Sequence, residues 1–479
     1  MVSLPFLAYG QTATIVGTVT DPSGAVVPNV TITITHAETG RVITSASNDA
    51  GQYVVPDIHI GHYSVKASAT GFKVAERTGI VLDVDERERV DFQLVLGTTA
   101  QSVSVEANAV AVQTDTGEVS SLVSGAQITE LSTNGRSIYT YVSLTPGAAS
   151  LMPDFQAPTP VGANSSISFN GNRPGHNLYM LDGGENSDRG GAGSSSVMPS
   201  MDALAETQTL ASNYSADYGL SSGGTITSVV KSGSKTLHAS AWEFFRNDWL
   251  DASNPFTHTI PYLRYNVYGF NVGGPVTFGH VYNPNKTKTF FFYNMEWRKM
   301  IQGSTLNVVT PPSAFYDGNL STIGTIPKLP TTILVPTAAQ VSPTWLARNC
   351  PGGTLPAGIV QGSAFPNNTI PTCMLDPNAQ SLLTAGGKYG GIFPKENGFS
   401  NGLPAFLGGN NVPTDLREEI VRIDHNFSDK FTIYGHYVAE AVSQNYGTSE
   451  WSGDNTPSVG TNFGNPSYAA VIHLSLIHI

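Results

Sequence analysis

The chain has 479 residues and a formal net charge of −12, with 13% of it Asp, Glu, Lys or Arg and with 49 Gly and 30 Pro. That length admits two to four domains, and a charge-poor composition rich in Gly, Pro, Ser, Thr and Asn belongs to a β-rich, loop-rich protein rather than a helical one. The acidic balance, without any Lys/Arg block, argues against a nucleic-acid partner, and no apolar run approaches the ~20 residues of a spanning helix, so a membrane location requires a β-barrel.

The first residues, Val2-Ser-Leu-Pro-Phe-Leu-Ala-Tyr-Gly-Gln11, are apolar with no Lys or Arg before them, which reads either as the tail of a signal peptide or as an unstructured terminus (1–11). Residues 12–97 then alternate. Val30, Ile32 and Ile34 interleave with Thr31, Thr33 and Thr35, and Val90, Phe92, Leu94 and Leu96 alternate again, so one face is buried and one wet. Asp21-Pro-Ser-Gly24 is a turn with Pro at its second position. About seven short strands at this spacing predict a β-sandwich. The succession Gly17, Asp21-Pro-Ser-Gly24, Val27-Pro28, Asp49, Gly51, Tyr53, Gly61-His-Tyr63 and Gly71-Phe72 resembles the carboxypeptidase regulatory-like domain. That name denotes an accessory domain and implies no peptidase. Its relatives have a carbohydrate-binding-like fold, yet no aromatic platform for a glycan stands out. His36, His59 and His62 lack a His-Glu-x-x-His arrangement, so no metal is assigned to them.

Residues 98–235 read as a compact unit. Val103 and Val105 alternate with Ser102, Ser104 and Glu106 in a short strand. Then come Asn134-Gly-Arg136 with Leu144-Thr-Pro-Gly147, Ile167-Ser-Phe-Asn-Gly-Asn-Arg173, Leu178-Tyr-Met-Leu-Asp182-Gly183, Asn213 to Gly219, and Gly223-Gly224. Asp-Gly at 182–183 predicts a tight strand-to-strand turn. In this order the motifs resemble the plug of TonB-dependent outer-membrane receptors of the Oar-like type. Ser132-Thr133 stands where that family often has proline. The passage from Thr225–Ser234 into the aromatic run Leu237–Leu250 is similar to its junction of plug and barrel. Lys231-Ser-Gly-Ser-Lys-Thr236 lacks the spacing of a phosphate loop. Gly190-Gly-Ala-Gly-Ser194 lacks a flanking strand and helix, and Ser194–Ser196 have no Gly-x-Ser-x-Gly elbow. No enzymatic reading and no cofactor is therefore expected.

From 236 to 479 the pattern is that of a strand wall. In Phe290–Arg298 one parity carries Phe291, Tyr293, Met295 and Trp297, and the other carries Phe292, Asn294, Glu296 and Arg298. The expectation is lipid against the first set and a wet lumen against the second. Strands are expected at 236–249, 265–274, 288–298, 416–427 and 430–440, joined by loops that alternate between short and long. Cys350 and Cys373 fall in the longest, 299–415, so a disulfide in an extracellular loop is favoured over two free thiols. Gly273-Gly-Pro-Val276, Phe290-Phe-Phe292 with Glu296 and Arg298, and Arg422-Ile-Asp-His-Asn-Phe-Ser-Asp429 are similar to passages of the same family. About five strands, against twenty-two in such a barrel, suggest a fragment of a longer protein.

The expected fold is therefore mainly β: an N-terminal sandwich, a plug and an incomplete transmembrane β-barrel. The resemblance implies an outer-membrane receptor or transporter with a periplasmic N-terminal domain. Its partners would be outer-membrane lipid, an unidentified glycan or peptide ligand, and TonB. TonB would add a strand to a short extended segment, for which Val103 and Val105 are candidates, with a plain linker strand as the other reading. An outer-membrane adhesion protein on the same scaffold, or a secreted carbohydrate-binding sandwich, are the rival functions.

Overall fold

Alternating β-branched and polar residues build three successive β-units. The computed structural model describes residues 12–97, 102–106, 117–150, 166–188, 194–215, 218–219, 221–253, 255, 260–384, 395–446 and 461–476. The stretch 1–11 and residues 190–193 of the Gly-rich loop lie outside them.

In the first unit β1 (Ala13–Thr20), β4 (Gln52–Ile58), β7 (Arg87–Arg89) and β8 (Phe92–Gln93) form one sheet. The facing sheet has the order β3 (Val42–Ala46), β2 (Thr31–His36), β5 (Gly61–Ser68), β6 (Val74–Leu82), β9 (Ser102–Glu106). The inward parity, including Ile15, Ile32, Ile34, Val55, Val65, Leu82 and Leu94, is buried between them, as alternation requires. Gly17 is fixed by packing: a Cβ there would sit 2.1 Å from the Val90 carbonyl oxygen and 2.7 Å from the Tyr53 ring. The segment 102–106, expected with the following unit, instead pairs in parallel with β6 of the sandwich.

The second unit is a five-stranded sheet ordered β10 (Val119–Ser124), β15 (Leu204–Ser212), β16 (Thr225–Val230), β13 (Leu178–Leu181), β14 (Gly184–Glu185), with a separate pair, β11 (Ala148–Ser150) and β12 (Ile167–Phe169). Every residue of β16 is buried, so it reads as a continuous apolar and Thr/Ser run rather than an alternating one. Asp182 (φ 46°) and Gly183 (φ 80°) both take positive φ in the turn joining β13 to β14, as a two-residue hairpin turn demands.

The third unit is a wall ordered β17 (His238–Asn247), β18 (Leu263–Pro275), β19 (Thr289–Val309), β21 (Leu403–Asn426), β22 (Phe431–Tyr446), β23 (Thr461–Leu476), with β20 (Gly398–Ser400) against β21. All its pairings are antiparallel. Two strands outrun expectation. β19 continues to Val309 and β21 begins at Leu403, giving 21 and 24 residues, about twice the ~9–11 that cross a bilayer. The extra length runs through Gly303-Ser-Thr and Gly408-Gly-Asn-Asn, where the apolar/polar alternation that marks a half-buried strand is missing. β23 is a further strand beyond those expected, its signal in the sequence broken by Gly464 and Pro466. The short turns, residues 276–288 and 427–430, lie at the sandwich's end of the wall, where the Arg41 guanidinium donates to the Asp429 carbonyl at 3.4 Å. Among the described residues no helix is long and apolar enough to cross a membrane.

Candidate functional site: the inner face of the wall

The register carries residues in rows across the wall, and inward rows meet the second unit. One row aligns Trp242, Gly269, Glu296, Glu418, Glu440 and Ser467. Three carboxylates thus stand on adjacent strands, each no more than 1% exposed, an arrangement that like-charge repulsion disfavours. What compensates it comes largely from elsewhere. The Ser200 backbone N–H donates to Glu418 at 2.9 Å, and the Met198 N–H donates to Glu440 at 2.7 Å. The Ser200 hydroxyl and the Trp242 indole donate to Glu296 at 2.8 and 3.1 Å. Arg298, on the neighbouring row, donates to Glu296 at 2.6 Å and lies 3.7 Å from Glu418. The segment 197–200 is thereby held by main-chain donors on a carboxylate row.

A second cluster forms nearer the short turns. Arg422 and His436, in register across β21 and β22, converge on Asp182, which is 1% exposed. His436 Nδ1 lies 2.7 Å and Arg422 Nη1 3.3 Å from Asp182 Oδ2. The Val230 N–H donates to Asp182 Oδ1 at 3.0 Å, and Arg422 Nη1 donates to the Val230 carbonyl at 2.7 Å. Burial alone would raise the Asp182 carboxyl, but Arg422 and His436 bring it below its ordinary value. Arg422 also pairs with Asp424 at 2.9 Å and lies over the Tyr434 ring.

The third contact is Asn134-Gly-Arg136. The Arg246 guanidinium donates to Asn134, and the Tyr265 hydroxyl donates to the Gly135 carbonyl at 3.1 Å. Arg136, itself at φ 55°, pairs with Asp202 and stacks 3.7 Å over the Phe244 ring. Gly223 and Gly224 lie inside the second unit: a Cβ at Gly224 would sit 2.5 Å from the Phe169 ring, and one at Gly223 2.4 Å from Asn177 Oδ1. The structure therefore brings Asn134, Gly135, Arg136 and Asp182 to the wall, while Gly183 completes a turn and Gly223 and Gly224 serve close packing.

Phe291, Tyr293, Met295 and Trp297 share the outer parity of β19. Trp297 stacks on Tyr268 at 5.5 Å, and the neighbouring outer positions include Ile423, Tyr437, Tyr468 and Ile472, all exposed. The opposite parity is not wet here. Phe292, Asn294, Glu296 and Arg298 are at most 3% exposed, and Phe292 joins Ile420 and Val438 in the core of the second unit. In place of the expected water, the second unit of the same chain fills the space against them. Cys350 and Cys373 form a disulfide, Cα–Cα 4.9 Å, in the segment between β19 and β20. Val103 and Val105 lie in β9, on the sandwich rather than at this interface. Glu418, Glu440 and His436 belong to no motif singled out in the sequence, and Arg422 only opens the passage 422–429. His436 and Glu440 stand out there as polar residues on the inward parity of a strand whose outward parity (Tyr437, Ala439, Ala441) is apolar, whereas the outward parity of β21 itself carries Arg417 and Glu419, which hides Glu418 and Arg422. Among the described residues no group of three His, Cys, Asp or Glu is placed to hold a metal ion.

Comparison with known proteins resolves what this wall is. Residues 229–478, more than half of the chain, match the family described as outer membrane beta barrel domain. The chain belongs to the outer-membrane β-barrel family. It is accordingly an outer-membrane protein. Residues 14–95 of this barrel protein match the carboxypeptidase regulatory-like domain. A curated relative, the TonB-dependent transporter Oar of Myxococcus xanthus, is 24% identical over 303 residues, covering 60% of the chain. Among solved structures, the outer membrane transporter YddB of Escherichia coli aligns with 75% of the chain at 11% identity and TM-score 0.42. The ferric enterobactin receptor PfeA of Pseudomonas aeruginosa aligns with 74% at 10% identity and TM-score 0.36. The barrel chain spans 26% of the length of Oar, 37% of YddB and 38% of PfeA.

Proposed function

We propose that the chain acts as a TonB-dependent receptor or transporter of the outer membrane, with the second unit as its plug. The observation that carries this is the grip of the wall on that unit, by Glu418 on the Ser200 N–H and by Arg422 and His436 on Asp182. A permanent core would be cheaper to build from apolar contacts, because burying charges costs several kcal/mol each before pairing. A polar seam of hydrogen bonds can instead exchange its partners for water when the unit moves. On this reading, Phe291, Tyr293, Met295 and Trp297 face lipid, the sandwich is periplasmic, and the segment between β19 and β20 with its disulfide is extracellular. Ligand would meet the outer loops and the upper face of the plug, and TonB would pair by strand addition with a short periplasmic segment, for which Val103 and Val105 remain the candidates. No side-chain constellation for covalent chemistry is invoked, and the ligand is a glycan or a peptide.

The test is binding of the purified periplasmic domain of TonB to outer membranes carrying the full-length protein. Saturable binding, strengthened by extracellular ligand, is expected. Absence of saturable binding in membranes where the protein is folded and heat-modifiable would overturn the reading.

A further inference from the structure

The segment singled out for strand addition is already a strand, and it is already paired. β9 lies in parallel along β6, with Val74 opposite Ser102, Ala75 opposite Val103, Glu76 opposite Ser104, Arg77 opposite Val105 and Thr78 opposite Glu106. It closes the order β3-β2-β5-β6-β9 as an edge strand. The pairing stops where β6 deforms: Gly79 takes φ 75°, and the register between β5 and β6 shifts between Tyr63 and Val65. β6 upstream of that bulge thus offers a five-residue edge, and β9 fills its length.

We infer that the Val74–Thr78 edge of the sandwich is an internal docking surface for Ser102–Glu106, and that the sandwich and TonB compete for the same edge of this one strand. The inference rests on the proposed function, since it deepens the role given there to Val103 and Val105. Three considerations support it. Strand addition uses main-chain donors and acceptors and asks little of sequence, so an edge of the same chain can occupy the segment as a partner would. A five-residue parallel pairing at a sheet edge is among the weaker cooperative units of a fold, because parallel ladders are slightly less stable per residue and edge elements open locally. Force supplies the third. While β9 stays bonded to β6, tension on it loads the sandwich. Once it is released, the next described strand along the chain is β10, which is itself an edge strand of the second unit's sheet, pairing only with β15 there. Productive pulling on the second unit therefore requires β9 to leave β6. The sandwich becomes a gate on coupling rather than an inert appendage.

The experiment uses the full-length protein in outer membranes with Glu76→Cys and Ser104→Cys together. Residues opposed across a parallel pair project to the same face, within reach of a short thiol cross-linker such as dibromobimane. Val74→Cys with Ser102→Cys is the second pair, and heat-modifiable migration selects folded protein. Cross-linking is expected in the resting protein and should fall at least ~fivefold under saturating periplasmic domain of TonB, since two partners drawing on the same edge of one strand exclude each other by mass action. Conversely, protein cross-linked first should bind that domain at least ~tenfold more weakly. Failure of both pairs to cross-link in folded protein would overturn the inference, because β9 would not be on β6. Cross-linking that TonB leaves unchanged, while TonB binds, would also overturn it yet leave the proposed function standing. No TonB binding by the unlinked, folded protein would remove the proposed function and the inference together.

Discussion

Arg422 reaches from the wall into the turn end of the inner sheet and makes two contacts with one guanidinium nitrogen, the Val230 carbonyl at 2.7 Å and the Asp182 carboxylate at 3.3 Å. It therefore reads both the backbone and the charge of the inner unit. Replacing it by Met leaves Asp182 buried with His436 and the Val230 N–H alone. Breaking one side of a buried pair costs about 3–5 kcal/mol, and Arg422→Met should lower the thermal midpoint of the detergent-solubilised protein accordingly. Asp182→Asn keeps the positive-φ turn, which Asn tolerates. Combined with Arg422→Met it should cost less than the sum of the single changes, because the pair acts as one unit. Strict additivity in a double-mutant cycle would show that the two residues are not coupled.

The sandwich should dock on the inner unit in a pH-dependent way. Glu206 is buried where the Asp83–Glu86 turn between β6 and β7 meets β15, and it accepts the Val84 N–H at 2.5 Å. Burial, then the charge of Asp83, with Glu86 and Asp85 adding to it, pushes its carboxyl up to about 8, and burial pushes Glu86 to about 7. A carboxyl raised in the docked state binds more protons docked than free, so docking weakens as pH rises from the ordinary carboxylate range, through 7, to above 8. The protection of the amides of residues 83–86, their exchange rate relative to the intrinsic rate at each pH, should be high at pH 6 and distinctly lower at pH 8.5. Glu206→Gln, which keeps an acceptor for Val84 without the charge, should flatten the profile. A profile unchanged by that substitution would place the pH sensitivity elsewhere.

The Cys350–Cys373 disulfide closes a loop with a sequence separation of 23 residues. Its contribution is local, because the surrounding segment between β19 and β20 is largely turns and short helices. Constraining a loop of this length is worth about 3 kcal/mol in the chain-entropy picture. Cys350→Ser with Cys373→Ser should make the loop sensitive to external protease while the folded fraction of the wall stays at the wild-type level. Loss of wall folding would mean the loop is needed for strand pairing.

Much of this architecture was legible because half-buried strands announce themselves by alternation. Phe291 to Trp297 against Phe292 to Arg298, and Val30 to Ile34 against Thr31 to Thr35, gave the wall and the sandwich directly. Where the alternation is interrupted, as at Gly303-Ser-Thr and Gly408-Gly-Asn-Asn, the signal fades, and the outer ends of β19 and β21 read as loop. The contacts of the inner face were less legible for a different reason. Glu418 and Glu440 lie 22 residues apart in sequence yet side by side across two strands, and the groups that satisfy them, the N–H of Ser200 and of Met198, have no side-chain signature at all. The five-residue strand 102–106 was visible as a strand, but its partner β6 was not, because parallel pairing at a sheet edge leaves no mark in either sequence.

The two parities of β19 should fail by different mechanisms when given a charge. Tyr293 is on the outer parity, aligned with Val272 and Val421, and an Arg near the bilayer midplane costs about 2–4 kcal/mol in barrels of this kind. Asn294 is on the inner parity, fully buried, with its amide donating to Glu418 at 3.4 Å. An Arg there meets no lipid, but it has no room beside the inner unit, and overpacking a filled site costs typically ~1–3 kcal/mol. Both Tyr293→Arg and Asn294→Arg should therefore reduce the heat-modifiable, folded fraction of the full-length protein in outer membranes. Deleting residues 117–230 removes the packing partner and opens the inner face to water. It should restore Asn294→Arg to the folded fraction of the deletion alone, while Tyr293→Arg, whose penalty on the proposed reading comes from lipid, should stay impaired. Rescue of Tyr293→Arg instead of Asn294→Arg would invert the register, and equal rescue of both would mean that neither face of β19 meets lipid.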